Sequence, residues 1–305
     1  MENIHSVLNG IYNKFADFED KGQKATYIPE LANVDENLFG VSLTTLNHGQ
    51  INIGDAHQQF SVQSISKVLL LIMAYNVEGE KLWKRVDVEP SGAAFNSMIL
   101  LELEKGIPRN PLINAGAIVI ADIVFTHFKN PEDDFIKFVR RLTKDDSIDY
   151  DIKVFESEKS VGYRNYALIN MMKSFGNITN TMDEVMDFYF KICSLSMNCA
   201  QLSKAFFFFA NDGIDPFSKE VILTPGRNRR INAIMLLCGF YDEAGEFAYR
   251  VGLPGKSGVG GGILAILPNK YAVVVFSPKL NEKGNSYRGM AFLECLTTEL
   301  SDSVF

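Results

Sequence analysis

Strand signals stand at both ends of this chain and helix signals fill its middle, and that order narrows the possible folds more than any other feature. Leu38 to Leu46 reads as a strand. Asn47-His48-Gly49 marks a turn, and Ile51 and Ile53 alternate with polar residues on the return. Phe247 to Leu253, Ile263 to Leu267 and Tyr271 to Phe276 read as later strands, the last two joined by Pro268-Asn269-Lys270. Between these groups, Asn130-Pro131-Glu132-Asp133-Asp134 supplies a cap, a first-turn proline and acids for the positive end of a helix dipole. Thr181-Met182-Asp183-Glu184 has the form of a capping box, and Thr224-Pro225 opens another helix. Phe206-Phe207-Phe208-Phe209 cannot put four rings on one helix face, so it predicts a helix buried nearly all round, stopped by Gly213. Amphipathic spacing predicts helices over residues 4–18 and from about Tyr287 to Leu300. The simplest architecture is a multi-domain α+β fold. Residues 1–63 and 241–305 build one antiparallel sheet domain, and residues 64–240 form a helical domain inserted between them.

Composition limits the partners. Of 305 residues, 47% are apolar and 22% charged, which excludes a disordered chain or a coiled coil. Lys and Arg number 30 against 37 Asp and Glu, a net charge of −7, so bulk nucleic-acid binding and an anionic membrane surface are poor fits. The one dense basic patch is Arg227, Arg229 and Arg230. Val68 to Tyr75 is among the longest apolar runs, well short of the ~20 residues that span a bilayer. Cys193, Cys199, Cys238 and Cys295 are too sparse for a disulfide scaffold. His5, His48, His57 and His127 form no metal-binding pair, so neither a metal nor a cofactor is expected. The start Met1-Glu2-Asn3-Ile4-His5 has no basic region followed by an apolar stretch, and a cytoplasmic location is the expectation.

Two segments carry chemistry. Ser64-Ile65-Ser66-Lys67, at a helix start, puts a hydroxyl and an amine on one face beside unpaired backbone N–H groups. That combination supplies a nucleophile, a base and one oxyanion donor, provided burial keeps the lysine neutral. The apolar run Val68 to Met73 follows at once and gives Lys67 little water. Taken alone, the segment also reads as a capped helix with a surface lysine. Lys256-Ser257-Gly258, on a late strand, is followed by Gly260, Gly261 and Gly262, which implies a backbone passing close to something. Alone it also reads as a glycine-lined bend. Gly255-Lys256-Ser257 has the look of a phosphate-binding loop, but Arg250 stands where that loop needs glycine, and strands follow where a helix belongs. Ser-x-x-Lys with a late Lys-Ser-Gly is the pairing of penicillin-recognising acyl-transfer enzymes.

Further blocks extend this pairing. They are Tyr27-Ile28-Pro29-Glu30-Leu31, Gln63 before Ser64, Glu89-Pro90-Ser91-Gly92 with Phe95-Asn96, and Asn110 to Ile118. They continue through Ser157-Glu158, Arg164-Asn165, Asp187 to Phe190, Cys238 to Asp242 and Val251 to Ile263. With them the chain, from about Tyr27 to Gly289, resembles the bacterial and animal glutaminases of the serine β-lactamase-like fold. The resemblance implies hydrolysis of L-glutamine to L-glutamate and ammonia through a glutamyl-serine ester. It implies Ser64 as nucleophile and Lys67 as base, with Tyr241 and Tyr189 at the reaction centre and Tyr241 the proton relay. Asn114, Glu158 and Asn165 would hold the amino-acid end of the substrate, and Tyr27 would close the site. The N–H groups of Val259 and Ser64 would form the oxyanion hole. It also implies a homo-oligomer, a tetramer or dimer. A serine acyl hydrolase acting on other amides is the alternative, as is a non-catalytic protein using the same fold.

Overall fold

A computed structural model of the chain describes residues 4–15, 17–91 and 98–305. Gly92, Phe95 and Asn96 of the block that begins at Glu89 lie outside the described residues. Eight strands form two sheets: β1 Gly40–Thr45, β2 Gly49–Gly54, β3 Phe60–Ser61, β4 Asp149–Tyr150, β5 Leu195–Met197, β6 Gly255–Ser257, β7 Gly262–Leu267 and β8 Tyr271–Phe276. The larger sheet has the order β2-β1-β8-β7-β6 and is antiparallel throughout; the smaller has the order β3-β5-β4. The larger sheet is therefore assembled from both parts of the chain that carry strand signals.

Strands β1, β7 and β8 are buried on both faces. Their alternate residues serve two different cores, because successive side chains point to opposite faces. Val41, Leu43, Ile263, Ala265, Val273 and Val275 pack under the helices Ile4–Lys14 and Tyr287–Leu300. Leu264, Ile266, Val274 and Phe276 join the large helical core on the other face. At the centre of that core run the helices Ser66–Glu78 and Asn114–His127, buried on every side from Ser66 to Tyr75 and from Ala115 to Val124. A helix so placed has no solvent face to keep polar.

Several expected elements fall where the sequence puts them. The last helix is Tyr287–Leu300, and Thr224 caps the helix Pro225–Cys238 by accepting from the Arg227 N–H. Others differ. Phe247 to Leu253 is not a strand: residues Ala244–Arg250 form a helix, with Ala244, Phe247 and Val251 buried at helical spacing that mimics alternation over so short a stretch. Thr181 precedes the helix Met182–Cys193 but makes no side-chain cap bond, so the capping box does not form. The first helix ends at Lys14; Phe15 and Phe18 still pack on its core from the following turn. The four phenylalanines are all buried, but they follow the helix Cys199–Ala205 into a tight 3-10 turn, Phe207–Asn211. Gly213 closes that turn at φ +87°, its N–H on the Phe208 carbonyl. Among the described residues, no helix is long and apolar enough to cross a membrane.

One polar group inside the helical core has a full set of partners. Asp122 is completely buried. Its carboxylate accepts from Arg85 Nη2 at 2.6 Å, Thr179 Oγ1 at 2.9 Å and the Asn180 N–H at 2.9 Å. Burial alone would raise its pKa, but the bonds from Asn180, Arg85 and Thr179 outweigh burial and hold it below the usual carboxylate range. Asp122→Ala strands these donors in the core. It is expected to cost about 3–5 kcal/mol of stability, read by urea titration, without touching the cavity described next.

Candidate active site

The chain around Ser64 is shaped by the small sheet. After β3 pairs with β5, the Val62 N–H bonds to the Leu195 carbonyl at 2.8 Å. Gln63 then turns the backbone at φ +51°, and Ser64 sits in the 3-10 turn Gln63–Ile65 that runs into the helix Ser66–Glu78. The glycines after β6 lie directly against this turn. A Cβ at Gly258 would stand 2.5 Å from the Val62 carbonyl oxygen, and one at Gly260 would stand 2.1 Å from that of Ser61. Only glycine lets the two backbones approach so closely.

This approach seats Val259 and Ser64 in the wall of one cavity of about 570 Å³. Glu158, Asn165, Tyr189 and Tyr241 line it too, as does Asn114 at the start of its buried helix. Tyr27 spans the rim. The residue is 54% exposed, yet its hydroxyl end is enclosed, and burial beside Tyr241 and Glu158 pushes its phenol well above 10. The Glu30 N–H, bonded to Ser157 Oγ at 3.1 Å, ties the segment after Tyr27 to the helix that carries Glu158.

Lys67 lies beneath the cavity, 1% exposed. The expected direct pairing of Ser64 with Lys67 takes a different form. Lys67 Nζ donates to Asn114 Oδ1 at 2.7 Å, and Asn114 Nδ2 donates to Asn165 Oδ1 at 2.9 Å. The Tyr241 phenol lies close enough to the side chains of Ser64 and Ser257 for both to pull its pKa down against burial. Burial lowers the pKa of Lys67, with Cys193 and Glu158 pulling weakly the other way. Lys256 is fully buried as well. Its ammonium donates to the carbonyls of Gly239 (2.9 Å) and Ser257 (2.6 Å) and lies 4.5 Å from the centre of the Tyr241 ring. Burial, then the charge of Lys67, holds Lys256 well below 10.5.

Glu158 is the carboxylate of the site. Burial raises it from 4.5 to about 7, against the opposing pull of Lys67 and of the Gln63 amide, which donates at 3.5 Å. Gln63 also donates to Ser61 Oγ at 3.0 Å. Tyr241 is pushed up to about 12 by burial, so its phenol keeps its proton at neutral pH. Burial, then the Cys193 thiol beside it, raises the Tyr189 phenol well above 10.

Some lining residues carry no signal of a site in the sequence. Cys193 follows Tyr189 by four residues on the helix Met182–Cys193, and that spacing puts both on one face. Gln63 is visible only as the neighbour of Ser64. Tyr163 and Arg164 line the rim as well, next to Asn165 in a polar stretch of the helical part of the chain. Among the eight non-glycine residues with positive φ, six lie at helix ends or loop turns; the other two, Gln63 and Tyr241, flank Ser64 in the cavity. Such backbones cost about 1–3 kcal/mol each and collect at functional sites.

A serine hydroxyl, two amines deprived of water and a buried carboxylate, gathered at the edge of an antiparallel sheet, are the equipment of a hydrolase that splits amide bonds. The glutaminase family model matches residues 22–305; the chain belongs to that family and hydrolyses the amide C–N bond of glutamine. A glutaminase of Saccharophagus degradans is 53% identical over 299 residues, which is 98% of this chain and 97% of that protein. Among solved structures, the probable glutaminase ybaS superposes with a TM-score of 0.92 at 33% identity, covering 99% of this chain and 98% of its own. A probable glutaminase from Bacillus subtilis, complexed with 6-diazo-5-oxo-L-norleucine, superposes with a TM-score of 0.89 at 29% identity, covering 100% of this chain and 97% of its own.

Proposed function

We propose that glutamine hydrolysis here runs through a glutamyl ester of Ser64. The observation that carries this reading is that the Ser64 hydroxyl and the buried Tyr241 phenol line one cavity, beside two buried lysines whose ammonium forms burial disfavours. Ser64 Oγ attacks the side-chain carbonyl carbon of glutamine, and neutral Lys67 takes up the proton. The oxyanion rests on the N–H groups of Ser64 and Val259, each typically worth about 2.7–4 kcal/mol in such a site. Tyr241 passes a proton to the departing nitrogen and takes the one held by Lys67 in its place, the C–N bond breaks and ammonia leaves. Water then attacks the ester, its proton passing to neutral Lys67 and from there to Ser64 Oγ as the ester bond breaks and glutamate is released.

Glu158 meets the α-ammonium of the substrate, and the amides of Asn114 and Asn165 with the Tyr27 phenol meet its α-carboxylate. Neutral donors suit the carboxylate because the cavity already holds buried amines. Tyr189 completes the wall at the reaction centre. The two apolar cores, one on each face of a sheet built from both parts of the chain, support a serine β-lactamase-like fold. They also support a division into a sheet domain of residues 1–63 and 241–305 and a helical domain of residues 64–240.

The test is covalent capture. Incubation with 6-diazo-5-oxo-L-norleucine should add one 5-oxonorleucine group through a new C–O bond at Ser64, with loss of N₂, as read by peptide mass spectrometry. Inactivation with the label on another residue would refute the assignment.

A further inference from the structure

Tyr241 is a bulky residue held at φ +54°, and nothing within its own short turn, Tyr241–Glu243, accounts for that conformation. The surrounding structure must impose it. Two residues on, Glu243 is gripped from outside the turn. Asn281 Nδ2 donates to its Oε1 at 3.0 Å and to its Oε2 at 2.9 Å, and Asn285 Nδ2 donates to Oε2. Both asparagines belong to one self-bonded loop. Asn281 Oδ1 accepts from the N–H groups of Lys283 and Asn285, each at 3.0 Å, and its own N–H bonds to the Asn285 carbonyl at 2.8 Å. Lys283 pairs with Asp242 at 2.5 Å, a second tie from this loop to the turn. The loop also reaches the cavity wall. A Cβ at Gly284 would stand 3.7 Å from both the Tyr241 ring and the Val259 side chain. Glu243 itself is not among the side chains that line the cavity.

We propose that Glu243, clamped by Asn281 and Asn285, is a positioning residue that holds the Tyr241 phenol on the Ser64 hydroxyl. The proposal rests on Tyr241 being the proton relay. A carboxylate that accepts three N–H bonds from one loop fixes the direction of the turn better than a single bond does. A displacement of about 1 Å at a reacting group can cost about 10²-fold in rate.

A double-mutant cycle tests it, with kcat and KM for glutamine measured in the full-length protein. Glu243→Ala is expected to lower kcat by about 10- to 100-fold with KM changed less than about twofold, because the substrate-holding groups stay in place. Glu243→Gln, which keeps the accepting oxygen, should recover most of kcat. In a Tyr241→Phe background the further loss from Glu243→Ala should largely vanish, since the relay it positions is gone. Equal losses in both backgrounds, or an unchanged kcat in Glu243→Ala, would overturn the positioning role. Full activity in Tyr241→Phe alone would overturn the relay itself, a distinguishable failure. Circular dichroism checks the fold. Should Glu243→Ala not fold, Asn281→Ala removes two of the three bonds to the carboxylate and leaves Glu243 itself in place. It enters the same cycle, where a loss of kcat confined to the Tyr241 background supports the positioning role and equal losses overturn it.

Discussion

Ser64→Ala abolishes ammonia release from glutamine while the protein stays folded: the expected fall in kcat is on the order of 10⁴-fold or more. The size follows from the proposed reaction, because Ser64 is the serine among the side chains that line the cavity. The small structural cost follows from the surroundings. Ser64 lies in a turn whose backbone is fixed by β3, by Gln63 and by the glycine loop, none of which uses the Ser64 side chain. Removing one hydroxyl therefore leaves a small gap and no stranded charge. Ammonia release at the native rate from folded Ser64→Ala would remove the nucleophile from the mechanism.

The second large effect has two opposite parts. Glu158→Gln is expected to lower kcat/KM for glutamine by about 10²- to 10³-fold, because a buried amide does not balance the substrate ammonium. The same change is expected to stabilise the free protein at alkaline pH. The folded carboxyl titrates at about 7 and its ordinary value is 4.5, so on raising the pH the unfolded chain gives up this proton first. Stability therefore declines as pH rises from about 4.5 through about 7 and is flat above. A shift of that size corresponds to at most about 3 kcal/mol. Glu158→Gln should thus raise Tm at pH 8 and leave it nearly unchanged at pH 4.5. Native kcat/KM should fall as pH drops through about 7, where Glu158 takes up its proton, and the variant should lack that step. A variant that binds and turns over glutamine as the native protein does, or gains nothing in Tm at pH 8, would show that Glu158 is not held as a strained anion for the substrate.

How much of the molecule is legible in its sequence depends on which residues carry local information. Strand β8 is readable as a continuous β-branched and aromatic run bounded by a turn, and the helix Tyr287–Leu300 because its apolar spacing is sustained. The segment Ala244–Arg250 passes for a strand because two turns of helix offer too few positions to separate the periods. In the site, spacing alone points to Ser64 with Lys67 and to Lys256 with its glycines. The glycines after Gly258 mean what they suggest, a backbone pressed on a backbone. Asn114, Glu158, Asn165, Tyr189 and Tyr241 come from resemblance; nothing in their own neighbourhoods separates them from caps, surface charges or core aromatics. The turned backbones at Gln63 and Tyr241 are invisible, since neither residue type favours positive φ. The bond from Lys67 to Asn114 is hidden too: it joins two helices whose sequences say only that each is buried.

The central position of β8 has a consequence for how the molecule comes into being. Gly40 of β1 lies against Phe276 of β8, so the earlier strand waits on its ribosome for a neighbour 236 residues further along (276 − 40). Contacts so distant along the chain close slowly. Until they close, the glycine ribbon cannot press on the serine turn, and a nascent chain holds Ser64 apart from Lys256. Deamidating power is thus withheld until the late strands have been made and paired.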